Sequence, residues 1–163
     1  MLLSSRNFAA ALTIVAGLCL AGHALAKHPH QVPQKEHCTG TLTETTLTSL
    51  RFAGEGTATH FGKYSTSGGN NIVPDPMNPL IGQVTDGTFT TIAADGSTIS
   101  GIYSGTYTVL GPSSIRFDVV AIWQTGTGRL AGVTGQGNVV AFLDGNTAGS
   151  HFEYVTDSFL VFP

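Results

Sequence analysis

From residue 38 onward, apolar and polar positions alternate in short runs broken by glycine, asparagine and aspartate. Ile115, Phe117, Val119, Ala121 and Trp123 make one apolar face; Arg116, Asp118, Val120, Ile122 and Gln124 make a mixed one. The same period runs through residues 151–161, where Phe152, Tyr154, Thr156, Ser158 and Leu160 oppose His151, Glu153, Val155, Asp157, Phe159 and Val161. A period of two belongs to strands, because successive side chains point to opposite faces. Nowhere after residue 26 does the i, i+3, i+4, i+7 apolar recurrence of a helix persist. The pattern predicts eight strands, over 40–50, 56–65, 81–84, 87–93, 98–109, 114–124, 137–143 and 150–161.

Turn residues punctuate these runs. Asp95-Gly96, between Thr91-Ile92-Ala93 and Thr98-Ile99, predicts a tight hairpin, since a primed turn needs a positive φ that glycine tolerates. Leu143-Asp144-Gly145-Asn146 is a second such signal, and Asp86-Gly87 a third, shorter one. Residues 67–79 hold Gly68, Gly69, Asn70, Asn71, Pro74, Pro76 and Pro79, and read as a long loop across an open end. The fold class is all-β. Strands with one apolar and one half-polar face suit a small closed antiparallel barrel, although the pattern separates barrel from sandwich only weakly.

The chain starts differently. Arg6, an apolar run over 8–20 and Ala24-Leu25-Ala26 match the three parts of a secretory signal, cleaved after Ala26. That predicts a secreted or periplasmic protein with no integral membrane segment after cleavage. Residues 27–39 are polar, His-rich and Pro-broken, and read as a flexible lead-in; residues 40–163 read as one barrel domain. Cys19 lies in the signal, so Cys38 remains alone and no intrachain disulfide can form. A small residue packed in the first strand is one reading of Cys38; a crosslink between chains is another.

Charge narrows the partners. Lys27, Lys35, Arg51, Lys63, Arg116 and Arg129 stand against ten carboxylates, and no basic stripe exists. Nucleic acid is excluded, because phosphate neutralisation needs clustered Lys and Arg. An anionic membrane surface is disfavoured for the same reason.

Few residues suggest chemistry. His28, His30 and His37 with Cys38 match no zinc spacing, so no metal is expected. His60, Tyr103, Asp118 and His151 are the candidate cavity or rim residues. The plainer reading of each is structural: a histidine bonded to a neighbouring strand, a tyrosine packed with its tip at the rim, and outer-face charge pairs. There is no Gly-x-Ser-x-Gly elbow and no His-Glu-x-x-His motif, so no catalytic residue and no cofactor is assigned.

Three segments resemble a known group. Gly126-Thr127-Gly128-Arg129-Leu130-Ala131-Gly132-Val133-Thr134-Gly135-Gln136-Gly137, Ala58-Thr59-His60-Phe61-Gly62-Lys63-Tyr64, and Asp95-Gly96-Ser97 with Gly101-Ile102-Tyr103-Ser104-Gly105 are similar to segments of small secreted bacterial proteins. Their glycine segment is similar to that of the allene oxide cyclase and dirigent group. The resemblance implies an eight-stranded antiparallel barrel of calycin-like form with a central cavity, and makes a homo-oligomer a candidate assembly. It carries no catalytic role to any residue here. The glycine segment has its own structural explanation, a sharp bend between Trp123 and Val139. The expected function is a non-enzymatic barrel that holds a small apolar molecule or serves a structural role; the alternative is an isomerase- or cyclase-like, or dirigent-like, enzyme acting on a lipid or phenol in the barrel.

Overall fold

In the computed structural model, which describes residues 29–163, every strand hydrogen-bonds to its neighbour in sequence. The strands are β1 (His30–Thr45), β2 (Ser49–Ala58), β3 (Gly62–Pro74), β4 (Ile81–Ala93), β5 (Thr98–Gly111), β6 (Ser114–Gly126), β7 (Thr134–Asp144) and β8 (His151–Phe162). β8 returns to β1 in an antiparallel ladder from His30↔Phe162 to Thr41↔His151 and closes the barrel. Closure leaves no unpaired edge. The proposed signal, residues 1–26, lies outside the described residues. Among the described residues no helix is long and apolar enough to cross a membrane.

The all-β eight-strand barrel agrees with the sequence reading, but its first half is divided differently: the expected strands 40–50 and 56–65 each run through an observed connection, at 46–48 and 59–61, and the expected 81–84 and 87–93 are one strand, β4. Residues 30–39, expected to be a lead-in, are the first part of β1. They pair with β8 on one side and, from Glu36, with β2 on the other, so tertiary pairing orders a stretch whose composition suggests a mobile one. Residues 67–79 are not one long loop: β3 runs on to Pro74, paired with β4. Asp86-Gly87 is no turn but an irregularity inside a single β4, with Asp86 at φ 52°. Aspartate tolerates this left-handed conformation better than most residues. Here its carboxylate accepts hydrogen bonds from Asn71 Nδ2 (3.0 Å) and the Thr85 hydroxyl (3.2 Å). The Asp95-Gly96 hairpin forms as expected, with Gly96 at φ 83°.

The two ends of the barrel differ. At the lower end, where β1 begins, the glycine segment between β6 and β7 makes one 3-10 turn (Gly128–Leu130) and drives Leu130 and Val133 into the lumen, both wholly buried. Phe61, Ile99 and Leu160 pack into the same core. The Arg129 guanidinium latches this plug. It donates to Asp95 Oδ2 (2.5 Å), the His60 carbonyl (2.6 Å) and the Phe61 carbonyl (2.9 Å), tying three connections together. The Ser97 amide, and then Arg129, hold the Asp95 carboxyl below its ordinary range. Arg129→Ala is therefore expected to lower stability by about 1.5 kcal/mol, the usual loss for charged hydrogen bonds at a half-exposed site, read as a lower urea midpoint.

Candidate functional site

The inward positions form a lumen whose wall is neither uniform nor fully packed. Large side chains reach inward where a neighbouring strand offers glycine. A Cβ at Gly56 of β2 would stand 2.7 Å from the Tyr64 hydroxyl, and one at Gly87 of β4 would stand 2.6 Å from the Tyr103 ring. These glycines let Tyr64 lie across β2 and Tyr103 lie across β4. The space that remains is a partly open cavity of about 120 Å³, bounded mainly by Phe52, Phe89, Phe117, Trp123, Val139 and Phe152.

Against this apolar wall sits a polar cluster deep in the barrel. Gln34 and Glu36 of β1 are buried, and Gln34 Nε2 donates to Glu36 Oε1 (3.1 Å). The Tyr64 hydroxyl donates to Glu36 Oε2 (3.4 Å) and lies 3.0 Å from the Tyr154 hydroxyl. Burial pushes the Glu36 carboxyl up to about 7, against weaker opposition from the Gln34 and Tyr64 bonds. Desolvation also raises both phenols, and the nearby Glu36 raises them further. Cys38, the next inward residue of β1, is fully buried and its thiol is pushed up to about 11. It stays protonated and out of reach of a second chain, which removes the crosslink reading.

Two lumen atoms stand apart. Trp123 Nε1 and Thr156 Oγ1 are buried with no hydrogen-bond partner among the described residues, and both residues line the cavity. Buried polar groups are nearly always satisfied, so such a pair is a specific feature of this wall. Elsewhere in the lumen the polar groups satisfy one another: the Tyr103 hydroxyl donates to Asn70 Oδ1 (2.9 Å), and Thr91 Oγ1 donates to Thr66 Oγ1 (3.2 Å).

Of the four sequence candidates, the structure places one in the cavity. Tyr103 lines it. His60 is not mid-strand; it lies in the turn between β2 and β3, where its Nε2 donates to the Pro33 carbonyl (3.0 Å), the structural histidine of the plainer reading. Asp118 faces outward and accepts from Arg116 on its own strand (2.6 Å). His151 is exposed at the start of β8. The acids and histidines of β6 and β8 therefore form no inward pair, because the apolar alternates take the lumen side. His37 also faces outward, against Glu153 (2.7 Å), and is opposite in facing to Cys38, so the two cannot share a metal. No cluster of three metal-ligating side chains exists among the described residues.

Glu36, Tyr64, Tyr154, Trp123 and Thr156 were not singled out from the sequence. The sequence gives no signal for Glu36: residues 34–37 are Gln-Lys-Glu-His, all polar, and only the burial of alternate residues in β1 turns Gln34, Glu36 and Cys38 inward. The chain matches no family model and no curated protein.

Proposed function

We propose that this is a secreted or periplasmic barrel that holds one small, uncharged, mainly apolar molecule in its lumen. The observation that carries the reading is the apolar cavity lined by Trp123 and Thr156, whose Nε1 and Oγ1 have no hydrogen-bond partner among the described residues. A closed cavity of about 150 Å³ holds benzene; this one is smaller, about 120 Å³, but partly open, so its occupant is at most a single ring or a short chain that reaches into the opening. The indole N–H donates, so the ligand's head is an acceptor: a carbonyl, an ether or a hydroxyl. No Lys, Arg or His lines the cavity, and Glu36 supplies negative charge above neutral pH, which disfavours an anionic head.

Trp123 is the chain's sole tryptophan, so its fluorescence reports the site directly. Titration with phenol and acetophenone is expected to saturate, and benzoate is expected to bind far more weakly. Thr156→Val is expected to weaken binding about fivefold, the loss of one hydrogen bond to a buried group. No saturable change with either neutral compound, together with an unaltered response in the variant, rejects the reading.

A second reading, an isomerase- or cyclase-like enzyme in the same lumen, draws on Glu36: a carboxyl poised near neutrality beside an apolar cavity can give or take a proton. Under that reading Glu36→Gln abolishes conversion of a bound compound and leaves its binding intact; equal conversion by both proteins removes it.

A further inference from the structure

The upper end of the barrel, opposite the plug, holds the connections β1–β2, β3–β4, β5–β6 and β7–β8. Three of the four lift large apolar side chains into solvent: Leu47, then Met77 and Leu80, then Leu110 where β5 ends. Leu47 is 96% exposed and Met77 91%. A scattered apolar residue is ordinary on a protein surface, but a group around one rim marks a surface of interaction.

The rim is built rather than frayed. Asp75 Oδ1 accepts from the amides of Met77 (2.8 Å) and Asn78 (3.2 Å), a turn that fixes Met77 at its tip. The Pro79 carbonyl accepts from the Tyr107 hydroxyl (3.4 Å), and the Leu80 carbonyl accepts from the Val109 amide (2.7 Å), tying the same loop to β5. Below the rim, the inward residues Ile72, Val109 and Ile115 are only half-buried and join the apolar core. The rim thus stands above a neck that packs on the same apolar core, whose Leu42, Leu50 and Leu143 line the cavity.

Charge decides what covers it. Residues 46–48, 75–80, 112–113 and 145–150 contain Asp75 as their single charged side chain, and that carboxylate is engaged in its own turn. Anionic lipid attracts basic residues; the rim connections have none, and Arg51 beside them is paired with Glu44. A protein partner of either charge would find little to pair with. An electrically neutral lipid surface asks only for apolar side chains that reach past the headgroups. We propose that the upper rim docks on a neutral lipid bilayer, so that the occupant of the lumen moves between bilayer and barrel without crossing water. The transfer step rests on the ligand-holding reading above; the docking does not.

The test is co-sedimentation of the purified protein with phosphatidylcholine vesicles, run alongside the Trp123 titration with acetophenone. The wild type is expected to sediment with the vesicles equally at low and high salt. The double variant Leu47→Asp/Met77→Asp is expected to bind the vesicles about a hundredfold more weakly, as two buried side chains are lost. Its urea midpoint and its acetophenone titration are expected to match the wild type, since both side chains point away from the lumen. Docking is overturned if the wild type stays in the supernatant, if the double variant sediments equally, or if sedimentation needs anionic lipid and vanishes in salt. Vesicle binding that the variant loses supports docking even where acetophenone fails to titrate, in which case the lumen reading alone falls.

Discussion

Glu36→Gln is expected to stabilise the protein by about 3 kcal/mol at pH 8 and to change it little at pH 4.5. The carboxyl has an ordinary value of 4.5 and is raised to about 7 in the barrel, chiefly because burial disfavours the charged form. The folded state therefore binds its proton more tightly than the unfolded state does. Below pH 4.5 both states are protonated and nothing is lost. Between pH 4.5 and 7 the unfolded chain releases the proton first, and stability falls as pH rises. Above pH 7 the full difference has been lost, at about 1.4 kcal/mol for each unit between the two values. The amide variant has no charge to bury at any pH, so the gap between the two proteins opens across that window. Tyr64, Tyr154 and Cys38 face the same cluster, but all three are raised and stay neutral there, so they add no step. Urea unfolding of both proteins at half-unit pH steps reads the gap. A constant difference from pH 4.5 to pH 8 would show that Glu36 is solvated rather than buried.

Leu130→Ala is expected to cost about 3 kcal/mol, in the range for a fully buried leucine cut to a methyl. Leu130 sits at the centre of the plug, on the single 3-10 turn between Gly128 and Leu130. Its loss removes packing and also leaves a gap in the seal of the lower end. The barrel would then have two openings. Acrylamide, which meets a nearly fully buried Trp123 in the wild type, is expected to quench it more strongly in the variant. A fall in stability without a rise in quenching would mean that the wall collapses into the gap.

The strands of the second half of the chain were legible, and the inner cluster was not. β5, β6 and β8 carry long apolar alternation, as in Ile115, Phe117, Val119, Ala121 and Trp123, and they lie where expected. β2 turns Leu50, Phe52, Gly54, Gly56 and Ala58 inward, an apolar face thinned by small residues, and β3 turns Thr66, Gly68 and Asn70 inward between Tyr64 and Ile72, so its apolar face is interrupted. β1 turns Gln34 and Glu36 inward, and a buried acid reads as solvated composition. The same residues that hide these strands shape the cavity: glycines admit Tyr64 and Tyr103, and polar inward residues line the deep end. Pattern and site fail and appear together, because an inward face that leaves a cavity departs from the rule for one that only packs. The rim is a different case. Leu47, Met77 and Leu80 lie in loops with no period, and only the topology brings them to one end.

The pairing of β1 with β8 sets the order in which this barrel can assemble. Seven of its eight ladders join strands linked by short connections, so each can form as a local hairpin with little loop-closure entropy. The eighth joins His30 to Phe162, the two ends of the described chain, and gains nothing until all the others are in register. Ring closure is thus the slow, non-local step, and before it both end strands expose free edges to other molecules. A circular permutant that links Pro163 to Pro29 and opens the chain within 145–149 makes β8–β1 one more hairpin and moves the closing step to the β7–β8 ladder. It would keep every ladder of the native barrel and expose β7 and β8, instead of β1 and β8, as the free edges before closure.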